Sequence, residues 1–304
     1  MKQRVVVTGG TGFVGRALVA ALVARGDEVI VLGRTADDPR VPRGVRSRAW
    51  TPDRDGPWGD LIDGADAAIH LAGDPVMGGR WTAAKQQRLT DSRVLSTRAI
   101  VAAIGRAKQR PRVLVSASAV GYYGPRDAGD VVDESAPAGA DFLSQVCQAW
   151  EAEAIAAESL GVRVVRPRIG IVLGKGGGAL AEMLPMRGRN FVGGPIGSGQ
   201  QMMPWIHLDD VVGLLLLALD GDVSGPINLT APNPVPMRKL ASSLGEALGR
   251  PSVMRVPGFM IKVALGEAAE VLLTGQRAVP KRALALGYRF RYDDVDAAIR
   301  AVVG

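Results

Sequence analysis

Between Thr8 and Arg16 lies Gly9-Gly10-Thr11-Gly12-Phe13-Val14-Gly15, a run whose glycines are spaced to bring backbone against a pyrophosphate. Gly9 permits a tight turn, Gly12 allows a phosphate to approach, and Gly15 lets the following helix pack close to a sheet. Unpaired helix N–H groups and the positive helix end would then face the anion. Gly33 and Arg34 follow about 20 residues later, where this fingerprint selects its dinucleotide. An acidic side chain there would bond a ribose 2′-hydroxyl. Arg34 can instead clamp a 2′-phosphate with charge-assisted hydrogen bonds, which points to NADP(H). Asp37 and Asp38 lie slightly further on and would be the acidic partner if the strand ended later. A third set is Tyr122 and Tyr123, two phenols after a strand end that can exchange a proton with a substrate oxygen.

These groups need a rigid frame, and the apolar pattern supplies it. Arg4–Thr8 reads as a strand, Val14, Leu18, Ala21 and Leu22 have helical spacing, and Glu28–Leu32 is a second strand. Two such strands joined by a helix lie parallel with a right-handed crossover. The alternation continues with a strand at Ala67–Leu71, a helix from about Thr82 to Lys108, a strand at Val113–Ser116, a helix at Asp141–Leu160 and a strand at Val162–Arg166. The expected fold class is α/β: a doubly wound parallel sheet of Rossmann type with a small C-terminal α/β substrate lobe. The pattern changes after Pro167, so residues 1–167 read as the NADP-binding core and 168–304 as a mixed segment that completes the sheet and forms the lobe. That segment has glycine-rich loops at Gly174–Gly178 and Gly193–Gly199 around a short helical piece. It continues with a helix at Asp209–Leu219, a strand at Ile227–Thr230, helices at Met237–Leu248 and near Phe259–Leu273, and an extended piece at Tyr288–Tyr292.

Composition narrows the function. Among 304 residues there are 37 basic and 30 acidic side chains, two histidines and one cysteine. One cysteine excludes an internal disulfide framework and a Cys-rich zinc site, and two histidines argue against a His-rich centre, so no metal is expected. The net charge of +7 is dispersed over scattered arginines, without the basic stripe of a nucleic-acid binder. Its expected use is to draw an anionic small ligand to a cleft. The longest apolar stretch, Val211–Leu219, is about half a membrane span. A cytoplasmic protein without a membrane partner is the expectation. Gly170–Lys175 superficially suggests a nucleotide-triphosphate loop, but Gly176 stands where Ser or Thr is required, so it reads as a flexible turn.

The motifs TGGTGFVG at 8–15, HLAG at 70–73, SASAVGYYG at 116–124 and WIHLDDV at 205–211 together resemble the extended short-chain dehydrogenase/reductase superfamily. The pairs RW at 80–81 and SR at 92–93, the doubled tyrosine, GIVLGKGGGAL at 170–180 and LALGYRF at 284–290 resemble its atypical "epimerase family protein" branch, with a characteristic C-terminal region over about 234–299. The resemblance implies bound NADP(H), a small hydroxyl- or carbonyl-bearing substrate and, by analogy, a homodimer. It implies that Leu71, Ala72 and Gly73 line the adenine and ribose side of the cofactor, that Arg93 contacts it and that Arg88 reaches the same phosphate region. It places Ile171, just after a strand end, among backbone partners of the nicotinamide amide.

The resemblance also exposes a gap. Hydride-transferring relatives use Tyr-x-x-x-Lys, in which the lysine charge lowers the tyrosine pKa. Here Leu143 and Cys147 occupy those positions, and neither can substitute: leucine carries no transferable proton, and a neutral thiol carries no positive charge. Ser118 matches the superfamily serine, so Ser118, Tyr122 and Tyr123 are the expected proton-handling groups. His207, Asp209 and Asp210 read as organisers of the substrate lobe, His70 as a core histidine and Cys147 as a small buried residue. The alternative to an enzyme is a non-catalytic NADP(H) sensor or scaffold.

Overall fold

The computed structural model describes residues 2–54, 56–178, 194–250, 252 and 254–304. The strands, in chain order, are β1 (Arg4–Thr8), β2 (Glu28–Gly33), β3 (Arg46–Ala49), β4 (Ala67–His70), β5 (Val113–Ser116), β6 (Ser118–Ala119), β7 (Val131–Val132), β8 (Arg163–Ile169), β9 (Ile171–Gly174), β10 (Met202–Met203), β11 (Trp205–His207) and β12 (Gly225–Leu229). The main sheet has the order β12-β8-β5-β4-β1-β2-β3, with neighbours parallel throughout. The order reverses at β1, which lies between β2 and β4. In open α/β sheets the ligand crevice lies at such a reversal, beyond the strands' C-terminal ends.

Period-two alternation builds both faces of this sheet. Val5, Val7, Val29 and Val31 point to one side. There they meet Leu18, Val19 and Leu22 of α1 (Phe13–Ala24) and Val211, Leu214 and Leu215 of the helix Leu208–Asp220. Val6, Ile30, Leu32, Leu114 and Val164 point to the other. Against them pack Ile100, Ala103 and Ile104 of α2 (Ala83–Arg106) and Ala154 of α3 (Phe142–Ile155). Thr82 starts α2 by accepting a hydrogen bond from the Lys85 N–H, and Asp141 starts α3 by accepting from Leu143 and Ser144.

The structure extends the sequence reading at several points. The strand expected to stop before Pro167 runs through it as β8. β5 pairs with β8 as far as Val115↔Val165, and β6 resumes at Ser118↔Arg168. Pro167 falls in the break between these ladders, where a missing N–H is tolerated. The helix expected near Phe259–Leu273 is divided into Gly258–Leu265, a 3-10 turn at Gly266–Ala269 and Glu270–Leu273, with Gly266 at φ 59°. Gly174–Gly178 is an ordered tight turn with bridges Gly174↔Gly177 and Leu173↔Gly178. The helical piece expected between the two glycine loops lies outside the described residues. The C-terminal lobe buries Leu240 and Leu244 of the helix Met237–Ala247 and Ile299 of the helix Val295–Val303 against Leu173 and Trp205.

Candidate functional site

The glycine loop sits where β1 ends, at the reversal of strand order. Gly9 has φ 69°, and a Cβ there would lie 2.7 Å from the Leu71 carbonyl carbon. A Cβ on Gly15 would collide with Gly9 O. These two glycines are demanded by the protein's own packing. Gly12 differs: a Cβ there would meet only Gly9 O, at 3.2 Å, and the residue is exposed. It is the N-cap of α1, and no side chain caps the helix there. The first turn of α1 thus presents its N–H groups to an open cradle, the arrangement that accepts a phosphate. Thr11 and Val14 are partly buried beside it. Phe13 leans away onto the far turn, where a Cβ on Gly174 would lie 2.7 Å from Phe13 Cζ.

Gly33 ends β2, and the exposed Arg34 follows it, with no hydrogen bond or ion pair among the described residues. The competing acid is already engaged. Asp38 is buried and accepts from Arg40 Nε (2.9 Å), an Arg40 terminal nitrogen (2.6 Å) and the Arg40 N–H (3.0 Å). Hydrogen bonding to Arg40 holds its carboxyl down at about 2. Asp37 is exposed. Arg34 is therefore the unengaged cation directly after β2, where a 2′-phosphate would lie.

Beyond β4, Leu71 donates its N–H to Thr8 O (3.2 Å), and Ala72 and Gly73 follow beside the loop. Arg93 reaches from α2 to Gly73, where a Cβ would lie 3.3 Å from the guanidinium carbon. Arg88 is not brought to this place. Five residues separate the two, about 140° around a helix, and Arg88 is exposed without a hydrogen bond among the described residues. Ile171 begins β9, and its N–H donates to Pro204 O (2.8 Å), so that donor is already engaged. His70 is a structural histidine: its Nδ1 faces Thr8 Oγ1 (2.6 Å) and its Nε2 faces Ser96 Oγ (3.0 Å). Because Ser96 Oγ donates to Ser92 O (2.6 Å), Nε2 carries the proton and Nδ1 accepts from Thr8. Burial, with the Arg93 charge adding to it, pushes the His70 pKa down to about 3.

The three expected proton donors separate. Ser118 is buried and donates to Glu151 Oε1 (2.8 Å). Glu151, also buried, accepts from Arg168 through both oxygens (2.8 and 3.0 Å) and from Arg166 (2.9 Å). Tyr123, with no exposed surface, donates to Asn228 Oδ1 (2.7 Å) and accepts from Arg168 (3.0 Å). Burial pushes its phenol up to about 12. Burial works against the Arg168 charge, but Glu151 overrides it and the pKa ends above its usual value. The Ser118 and Tyr123 hydroxyl protons, expected from the sequence to be available for exchange, are engaged in a buried network. Tyr122 remains. It is partly buried, its ring stacks on the Arg168 guanidinium at 3.4 Å, and its hydroxyl has no partner among the described residues.

Sequence reasoning missed this network. Its signal is Arg166 and Arg168 on β8, since a buried guanidinium requires a carboxylate somewhere. Nothing in the local pattern of α3 shows that Glu151 is that carboxylate.

Leu143 and Cys147 both lie against Gly121, with Leu143 Cβ 3.7 Å and Cys147 Sγ 3.8 Å from a Cβ placed on Gly121. The Cys147 thiol is buried and pushed up to about 12, chiefly by desolvation. His207 caps the helix Leu208–Asp220 by accepting from the Asp209 N–H (3.1 Å), and Asp210 accepts from the Arg291 and Tyr292 N–H groups (2.8 and 3.0 Å). Among the described residues no cluster of His, Cys, Asp or Glu could hold a metal ion, and no helix is long and apolar enough to cross a membrane.

This geometry agrees with relationships across the whole chain. Residues 256–302 match a domain of unknown function, DUF1731. The chain is 43% identical to the Arabidopsis thaliana epimerase family protein SDR39U1 homolog, chloroplastic, over 99% of this chain and 87% of that protein. It is 35% identical to the Bacillus subtilis epimerase family protein YfhF, over 99% and 98% of the two chains. The crystal structure of human epimerase family protein SDR39U1 (isoform2) with NADPH superposes with a TM-score of 0.86 at 35% identity, covering 99% of each chain. Residues 5–229, which carry the sheet, the glycine loop and the tyrosine pair, match the NAD dependent epimerase/dehydratase family, and the chain belongs to that family.

Proposed function

We propose that the protein binds NADP(H) and acts as an oxidoreductase or epimerase on a small hydroxyl- or carbonyl-bearing molecule. The observation that carries this reading is the cradle at Gly12, open where the fold closes Gly9 and Gly15, with an unpaired Arg34 at the end of the neighbouring strand. NADPH in the human relative's crystal structure supports the same cofactor here. The backbone of residues 9–15 would hold the pyrophosphate and Arg34 the 2′-phosphate, while residues 71–73 would border the dinucleotide. When bound, the nicotinamide supplies or accepts a hydride. Tyr122 is the proposed proton donor and acceptor at the substrate oxygen, because its hydroxyl is unengaged and its ring is held by Arg168. The single, buried Cys147 suits a reducing compartment such as the cytoplasm.

Cofactor choice provides the direct test. Titration calorimetry should show NADPH binding more tightly than NADH. Arg34→Ala should remove about 1–3 kcal/mol of that preference, roughly five- to a hundred-fold, while leaving NADH affinity near its original value. Equal affinities for the two cofactors in the unmodified protein would defeat the assignment.

Activity tests the second half. Aldehydes, ketones and nucleotide sugars should be screened for NADPH oxidation, and any turnover should fall about 10²–10⁴-fold in Tyr122→Phe. Turnover that survives this change would remove Tyr122 from the mechanism. The inert Cys147 and the apolar Leu143 favour a second reading, a non-catalytic NADP(H) sensor. A cofactor-bound structure with the nicotinamide face sealed by side chains would select it.

A further inference from the structure

Partly exposed apolar side chains run outward from Tyr122. The 3-10 turn Val120–Tyr123 packs on the first turn of α3, where Leu143 Cβ lies 3.7 Å from a Cβ placed on Gly121 and Ser144 Oγ donates to Gly121 O (2.9 Å). Phe142 precedes Leu143 and begins α3. The Trp81 ring meets the Phe142 ring edge to face, with centres 5.4 Å apart. The Trp81 indole N–H donates to Val76 O (3.0 Å), so the ring has only apolar surface left for a ligand. Trp81, Phe142, Leu143 and Tyr122 thus form a contiguous strip. Its one unengaged polar group among the described residues is the Tyr122 hydroxyl.

The charges around this strip are already engaged. Arg80, one residue before Trp81, donates to Val263 O and to Ala264 O (3.3 Å) at the end of the helix Gly258–Leu265. Lys85, in the first turn of α2, pairs with the Asp74 carboxylate (2.7 Å) and donates to Pro75 O (2.6 Å). Arg126 donates to Tyr123 O (3.0 Å) and Pro137 O (2.9 Å), and Arg168 is tied to Glu151. The start of α3 is closed to anions as well. Asp141 accepts from the Leu143 and Ser144 N–H groups and from the Ser144 hydroxyl, so a carboxylate occupies the place a phosphate would take.

A nucleoside diphosphate sugar must exchange the water around its phosphates for charged or polar donors. This strip offers it the Tyr122 hydroxyl alone. A flat apolar body gains by covering the strip, because it removes apolar surface from water and sets ring against ring. The Tyr122 hydroxyl then selects one polar atom on an otherwise apolar ligand.

We propose that the substrate is a neutral aromatic aldehyde or ketone, with its ring against Trp81 and Phe142 and its oxygen at Tyr122. This rests on the NADP(H) oxidoreductase reading above and names its substrate class. Reduction converts the carbonyl to an alcohol. The carbonyl carbon gains the hydride that leaves NADPH as NADP+, the oxygen gains the Tyr122 hydroxyl proton, and water returns a proton to the phenolate.

Binding can be read without turnover, because the aromatic alcohol is the product and NADPH cannot reduce it further. NADPH affinity is measured first, and naphthylmethanol and UDP-glucose are then titrated by calorimetry into the NADPH-saturated protein. The naphthyl alcohol should bind at least about tenfold more tightly than UDP-glucose. Trp81→Ala and Phe142→Ala should each weaken it about fivefold or more, as for a lost ring-to-ring contact. Trp81→Phe keeps a ring and should lose less than Trp81→Ala. NADPH affinity should stay within about twofold in all three variants, which a general loss of structure would not allow. If Trp81→Ala does not fold, Phe142→Ala and Trp81→Phe give the same comparison. UDP-glucose binding as tightly as the naphthyl alcohol, absence of alcohol binding to the NADPH-loaded protein, or alcohol binding indifferent to the ring substitutions would overturn the proposal. Failure of the unmodified protein to bind NADPH would instead defeat the NADP(H) reading itself.

Discussion

A Gly12→Val protein should fold normally and lose measurable NADPH binding. A Cβ at this position meets only Gly9 O, at 3.2 Å, so the chain can accommodate it with a small shift. The two further carbons of valine would then occupy the cradle above the first turn of α1, where a pyrophosphate must come within hydrogen-bonding distance of backbone N–H groups. Circular dichroism and the thermal midpoint should remain close to those of the unmodified protein, while calorimetry shows no NADPH heat. The matching substitution at Gly15 should behave in the opposite way, because a Cβ there strikes Gly9 O and disturbs the fold before any ligand is added. A Gly12→Val chain that bound NADPH as before would show that the dinucleotide lies elsewhere.

The largest stability effect should come from the buried Glu151. Glu151→Leu leaves Arg168 buried without its counter-ion, releases Arg166 from its carboxylate and removes the acceptor of Ser118. Stripping one partner from a buried pair typically costs about 3–5 kcal/mol, because the remaining charge has neither water nor an opposite charge. Urea denaturation should show this as a lowered midpoint. The exposed pair between Arg98 and Glu153 is the control, and breaking it should shift the midpoint far less. Equal shifts for the two would mean that the buried network does not hold β8 to α3.

The same network shows where a sequence stops being informative about structure. Arg4–Thr8, the glycine run and Glu28–Leu32 announce themselves because strand, turn and helix signals are local and consecutive. The order of the sheet follows from parallel crossovers. β3 has no sequence signal because Arg46 and Arg48 are exposed at the sheet edge and only Ser47 is buried, which leaves no apolar alternation to read. β9 and β11 read as loop and motif because each is short, and they pair with one another outside the main sheet. Ser118 and Tyr123 resembled reactive groups because hydroxyls near a strand end are chemically competent. Whether a hydroxyl proton is available depends on Glu151, Arg168 and Asn228, which lie 33, 45 and 105 residues away from their partners. No local pattern records those distances. Arg34 was legible because its meaning depends on sequence position after β2, whereas the engagement of Asp38 by Arg40 required coordinates.

The two regions recognised by family likeness, 5–229 and 256–302, are separable as patterns and inseparable as matter. Asp210, inside the first region, spends its carboxylate on the backbone of Arg291 and Tyr292 in the second. Glu134 does likewise, accepting from the Arg282 N–H. Gly213 has no side chain where the Tyr288 hydroxyl lies against its helix. Each region therefore stores part of the other's hydrogen-bond complement. A chain cut between the two regions would leave the Asp210 and Glu134 carboxylates without these backbone donors.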